Sequence, residues 1–80
     1  MMEVIAYIGL GANLGDAAHT LSTAIQALGD VPQTTVQQVS SMYGSAPVGE
    51  GADGPNYTNA VALITTQLPA HQLLDALQRI

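Results

Sequence analysis

Cysteine and lysine are absent from these 80 residues, and a single arginine, Arg79, stands against six acidic side chains for a net charge of −5. Without cysteine there is no disulfide framework and no thiolate zinc cluster. Two histidines, His19 and His71, are too few for a His-rich metal site. A small chain without disulfide staples leans towards the cytosol. The shortage of cations argues against nucleic acid as a partner, because phosphate binding rests on Lys and Arg displacing counterions. Anionic membrane surfaces are disfavoured for the same reason. Long apolar runs are missing as well: the longest, Val4 to Leu14, is broken by Gly9, Gly11 and Asn13 and falls short of the roughly 20 residues of a spanning helix. Met1-Met2-Glu3 lacks the basic start of a signal peptide, so the expected location is cytoplasmic. The length allows one domain at most.

What is present reads as an α+β pattern. Val4 to Leu10, VIAYIGL, is β-branched and aromatic without polar alternation, the signature of a central strand covered on both faces. Gly9, Gly11, Asn13 and Gly15 form a turn-rich exit. Asp16 then caps a helix over 16–28, in which Leu21, Ile25 and Leu28 line one face and Gly29 closes the end at C′. Thr34 to Tyr43 is a second, irregular strand, because its apolar parity slips between Val36 and Val39 as at a bulge. Residues 44–56 are rich in Gly and Pro, a long loop of the kind that is functional or disordered. Tyr57 to Thr66 is a third strand, with Tyr57, Asn59, Val61 and Leu63 on one face and Ala60, Ala62 and Ile64 on the other. Pro69 opens a second helix whose apolar stripe is Leu73, Leu74, Leu77 and Ile80.

The stripe is still running at Ile80 with no capping residue behind it, so the sequence looks cut rather than finished. The order β-α-β-β-α is that of a ferredoxin-like split βαβ sandwich, an α+β fold, lacking its final strand. Deprived of that neighbour, Val4 to Leu10 would be a bare apolar edge without charge or Pro, and the chain is expected to associate with itself.

Candidate chemistry is sparse. Gly9, Gly11 and Gly15 follow a strand and precede a helix, but a dinucleotide fingerprint needs its third glycine at position 14, where Leu14 stands, and a phosphate-binding P-loop needs a lysine. Glycines that ease a sharp turn are the simpler reading. His19 and His71 each fall in the first turn of a helix and read as solvated. Glu50 and Asp53 form a carboxylate pair in the loop, yet nothing positive or apolar flanks them to tune an acid and a base, so a solvated tip is the better reading. Tyr57 and Asn59 differ. Two apart on a strand, they point the same way, and an aromatic plane beside a carboxamide is what a flat, hydrogen-bonding heterocycle needs. The same spacing fits core packing equally well.

Five segments, AYIGLGANLGD (6–16), ALGDVP (27–32), SSMYGSAPVG (40–49), PNYTNAVALITT (55–66) and LLDALQRI (73–80), in this order and at these intervals, resemble 6-hydroxymethyl-7,8-dihydropterin pyrophosphokinase. Each is weak alone; together they span almost the whole chain. The resemblance covers the N-terminal half of that family, so residues 1–80 are expected to be the N-terminal portion of a single pyrophosphokinase domain. It implies transfer of pyrophosphate from ATP to the hydroxymethyl oxygen of the pterin in folate biosynthesis, with Mg2+ held by a pair of Asp carboxylates. It further implies that Ser45, Ala46 and Val48 line the pterin, that Tyr57 and Asn59 hold its ring, that Gly11 and Asn13 flank the pocket, and that Gln78 contacts the nucleotide. Where the family usually has Thr-Pro, this chain has Ser45-Ala46. The Arg-rich segment and the D-x-D magnesium ligands would follow Ile80, so no metal ligand or catalytic residue is expected within these residues, and the 80-residue chain is expected to be inactive alone. The expected partners are small molecules. The alternative is a small non-catalytic module of the same fold that binds a heterocycle or another protein.

Overall fold

A computed structural model describes residues 2–49 and 54–80. The chain is α+β, with the order β1 (Val4–Ala12), α1 (Ala17–Gly29), β2 (Thr34–Val39), β3 (Tyr43–Ser45), β4 (Tyr57–Thr66) and α2 (Ala70–Gln78). All strand pairs are antiparallel, in the order β1-β4-β2. Because both β1 and β2 oppose β4, they run parallel to each other with β4 between them, and α1 makes the crossover. β4 is paired along its length by β1, from Val4 opposite Thr66 to Ala12 opposite Thr58. β3 also pairs the start of β4, so it must lie on the edge of β4 that β2 occupies.

The expected second strand is therefore two pieces laid end to end. Its register slips between Val36 and Gln38, where the parity change placed a bulge, and again between Ser40 and Tyr43, where Ser41 and Met42 lead into β3.

One reading is overturned. β1 is not covered on both faces: Val4, Ile5 and Tyr7 are exposed, while Ala6, Ile8 and Leu10 pack on the core, and the strand stands at the sheet edge, as expected where the final strand is lacking. Its apolar run has no polar alternation because alternation records water on one face, and this sequence leaves apolar groups there instead.

The core lies between the sheet and the two helices. Leu28 of α1, Val31, Ala62 and Ile64 form its centre, and Val36, Val39, Leu73, Ala76 and Leu77 pack against it, so both helices cover the same face. Ala60, Ala62, Ile64 and Thr66 alternate as the buried positions of β4. Thr66 is the polar member: Leu68 N–H donates to its Oγ1 at 3.1 Å, and the Thr34 and Thr66 hydroxyls lie 2.8 Å apart. Since Thr34 gives its one hydrogen to the Pro32 carbonyl, Thr66 donates to Thr34, and every polar atom is engaged.

Asp16 caps α1 as expected, its Oδ1 accepting from His19 N–H at 3.1 Å. Gly29, however, is the last helical residue rather than a left-handed C′ stop. The helix tightens instead: Asp30 N–H donates to the Ala27 carbonyl and Val31 N–H to that of Leu28, which tucks Val31 into the core. The left-handed turn falls later, at Gln33 (φ 57°). Pro69 caps α2 from outside, its carbonyl accepting from Gln72 and Leu73. Leu73 and Leu77 face the core as the stripe predicts, whereas Leu74 and Ile80 remain exposed. Among the described residues no helix is long and apolar enough to cross a membrane.

Candidate functional site

Alternation along β4 sends Asn59, Val61 and Leu63 to the sheet face that the helices do not cover. Directly opposed residues share a face, so this surface is built in rows: Gly11, Asn59 and Tyr43; then Gly9, Val61 and Ser40; then Tyr7, Leu63 and Gln38. Tyr57 opposes Ser45 at the end of the surface. Two of the β1 positions are glycine, so the floor is open on that side, and a Cβ at Gly9 would meet nothing within 4 Å. A cavity of about 230 Å³ lies at the other end, lined by Tyr7, Gln38, Ser40, Val61 and Leu63. All of these residues are uncharged, which suits a neutral ligand better than an ionic one.

Asn59 is the best-defined member. Its Nδ2 donates to Ser45 Oγ at 2.8 Å and to the Tyr43 carbonyl at 3.3 Å, both on β3. A carbonyl only accepts, so the amide nitrogen must face Tyr43 and Oδ1 must face the other way. There Oδ1 stands beside Gly11, 3.0 Å from where a Cβ on that residue would be, and Tyr57 Cδ2 is 3.8 Å from the same point. The tyrosine ring and the amide oxygen, which accepts no hydrogen bond among the described residues, thus meet over a glycine. Any side chain at 11 would press on one or the other.

Of the residues expected to form a site, Ser45, Tyr57, Asn59 and Gly11 come together. Ala46 and Val48 follow β3 directly and are exposed, Val48 almost fully. Asn13 stands one residue past β1, half-buried, at the same end of the sheet. Gln78, the last residue of α2, is exposed on the helix layer, on the other side of the sheet from Asn59. Glu50 and Asp53 lie outside the described residues. His19 and His71 are exposed, as expected of solvated first-turn residues.

Three features escaped the sequence reading. The Tyr43 carbonyl is backbone and leaves no mark in residue types. Ser45 was expected to line a ligand largely through its backbone; that its hydroxyl also holds Asn59 was not foreseen. Tyr7, at the alternate position before Gly9, could have been placed on this face had β1 been read as exposed on one side. Among the described residues no group of three His, Cys, Asp or Glu side chains could hold a metal ion.

Comparison with known proteins bears on the ligand. Residues 7–80 match the family model described as 7,8-dihydro-6-hydroxymethylpterin-pyrophosphokinase. The chain is similar to the 2-amino-4-hydroxy-6-hydroxymethyldihydropteridine pyrophosphokinase of Haemophilus influenzae, 44% identical over 77 residues, which is 96% of this chain and 48% of that protein. The protein of the same name from Pseudomonas putida is 46% identical over 79 residues, 99% of this chain and 64% of that one. That of Pseudomonas aeruginosa is 40% identical over 74 residues, 92% and 45%. The chain spans about half to two thirds of the length of these relatives.

Proposed function

This chain belongs to the 7,8-dihydro-6-hydroxymethylpterin-pyrophosphokinase family, and from that premise we propose that residues 1–80 are the N-terminal, pterin-binding portion of an enzyme that transfers pyrophosphate from ATP to 6-hydroxymethyl-7,8-dihydropterin in folate biosynthesis. The observation that carries this reading is the Asn59 amide, tied at its nitrogen and open at its oxygen beside the Tyr57 ring. A flat heterocycle with ring N–H groups needs that pairing of aromatic plane and fixed acceptor. Ala46 and Val48 supply apolar contact from the adjoining loop. The fold is read as five elements of a ferredoxin-like split βαβ sandwich, supported by the parallel β1 and β2 with β4 between them and by helices on one face.

In the reaction, the pterin hydroxymethyl oxygen attacks the β-phosphorus of ATP, its proton is lost, and the bond from that phosphorus to the α-phosphate oxygen breaks to release AMP. Such transfer is mostly positioning and charge neutralisation. The part of these residues is positioning: Tyr57 and Asn59 fix the ring and so aim the hydroxymethyl group. The resemblance implies magnesium beside the phosphates, where it would neutralise their charge; among the described residues no group of three His, Cys, Asp or Glu side chains is there to hold it. Small-molecule partners and a cytoplasmic location belong to the same reading, and the −5 net charge supports the expectation of no nucleic acid and no anionic membrane surface.

AMP release with ATP, magnesium and the pterin alcohol tests the assignment. The full-length protein should turn over and the 80-residue chain should stay at background. A full-length protein that binds the pterin without releasing AMP would favour a binding module of the same fold, and turnover by the short chain would mean that the phosphate side has been misassigned.

Self-association of the 80-residue chain belongs to the same reading. Val4, Ile5 and Tyr7 leave 52%, 65% and 74% of their surface exposed along the free edge of β1, with no proline or charge between Val4 and Leu10. Open N–H and C=O groups on such an edge pair with a second chain. Sedimentation equilibrium at micromolar concentration should find a species heavier than 8.2 kDa. A clean monomer with dispersed amide spectra would show that this edge is tolerated.

A further inference from the structure

An asparagine in a binding surface is ambiguous, since the same side chain can offer a ligand either its N–H hydrogens or its carbonyl oxygen. At Asn59 the choice has been made by the protein. Both amide hydrogens are engaged on β3, one by Ser45 Oγ at 2.8 Å and one by the Tyr43 carbonyl at 3.3 Å. Reversing the amide would set Oδ1 against the Tyr43 carbonyl, two acceptors with no hydrogen between them. Tyr43 therefore sets the direction, and Ser45, the closer partner, holds it. Opposite them, a Cβ at Gly11 would stand 3.0 Å from Oδ1, so a side chain there would press the oxygen out of its place.

We propose that Ser45 is a positioning residue: with the Tyr43 carbonyl it locks the Asn59 amide so that the site presents an acceptor alone, and the ligand must turn an N–H towards β4. This rests on the pterin-pocket reading above and deepens it. The Ser45 hydroxyl acts through Asn59; the backbone at this position stays as the resemblance implies. The hydroxyl is the necessary feature, so threonine can replace it and alanine cannot.

The test is a cycle of Ser45 and Asn59 variants in the full-length protein, read by calorimetric titration with 6-hydroxymethylpterin and by steady-state kinetics. Ser45→Ala should weaken pterin binding about three- to ten-fold, the value of one hydrogen bond. The loss should appear in the pterin KM and not in the ATP KM. Ser45→Thr should recover most of it. In an Asn59→Ala background, Ser45→Ala should change affinity less than about two-fold, because no amide is left to hold. Undiminished binding by Ser45→Ala, with Asn59→Ala impaired, would remove the positioning role and leave the pocket standing. Equal losses in both backgrounds would overturn the proposal by making Ser45 a direct contact. Should Asn59→Ala itself bind the pterin normally, the pocket reading fails and the proposal falls with it.

Discussion

Asn59→Asp in the full-length protein is expected to weaken pterin binding by about 3 kcal/mol, on the order of a hundred-fold. The change is nearly isosteric, so what it alters is hydrogen-bond polarity. A carboxylate has no hydrogen to give the Tyr43 carbonyl, which now faces an anionic oxygen at the position where Nδ2 stood 3.3 Å away. Ser45 can turn its hydroxyl and donate, which draws the side chain towards β3 and away from Gly11. The acceptor that should meet the ring is displaced, and a new charge must be desolvated when the ligand arrives. Asn59→Ala, which only deletes the group, should cost less, about 1–3 kcal/mol. ATP affinity should barely move in either variant. Calorimetric titration decides the matter, and unchanged pterin affinity in Asn59→Asp would return Asn59 to a packing role.

Ile64→Ala should have the largest effect on stability, about 3–4 kcal/mol. Ile64 is fully buried, opposed by Ala6 on one side and Val36 on the other, and clustered with Leu28, Val31 and Ala62. Alanine would leave a void that two flanking strands, held by their ladder bonds, cannot close. Small domains hold only about 5–15 kcal/mol in all, so the loss is a large part of the total. Urea unfolding of the full-length protein should show a midpoint far below that of the unmodified protein. In the 80-residue chain, where 54% of Leu74 is exposed, Leu74→Ala should shift the midpoint little and Ile64→Ala much. Equal effects of the two substitutions would mean that the core has been misplaced.

The periodic segments were legible in residue order because local chemistry decides them. β4 runs over Tyr57–Thr66 with the faces its alternation predicts, Asp16 caps α1, and the parity slip after Val36 is a bulge. Each depends on neighbours within a few positions: side-chain period, a capping carboxylate, one extra residue in a ladder. The pairing of Tyr57 with Asn59 on one surface was legible for the same reason, though nothing local distinguished a ligand face from a core face. That distinction needs to know which side the helices cover.

Tertiary structure alone decided the rest. Val4–Leu10 carries apolar residues on both faces, and its residue types cannot say that only one of them is covered; the placing of both helices on one side of the sheet left Ile5 and Tyr7 in water. Gly29 is a fit helix stop by type, yet the burial of Val31 beside Leu28 was worth more than a left-handed turn, and the helix tightened to reach it. The polarity of Asn59 was settled from positions 14 and 16 residues away in sequence, by a hydroxyl and by a backbone carbonyl that every residue possesses. Sequence by itself determines which groups a chain can offer; which of them remain free for a ligand depends on contacts between strands distant in the chain, and those exist only once the sheet has formed.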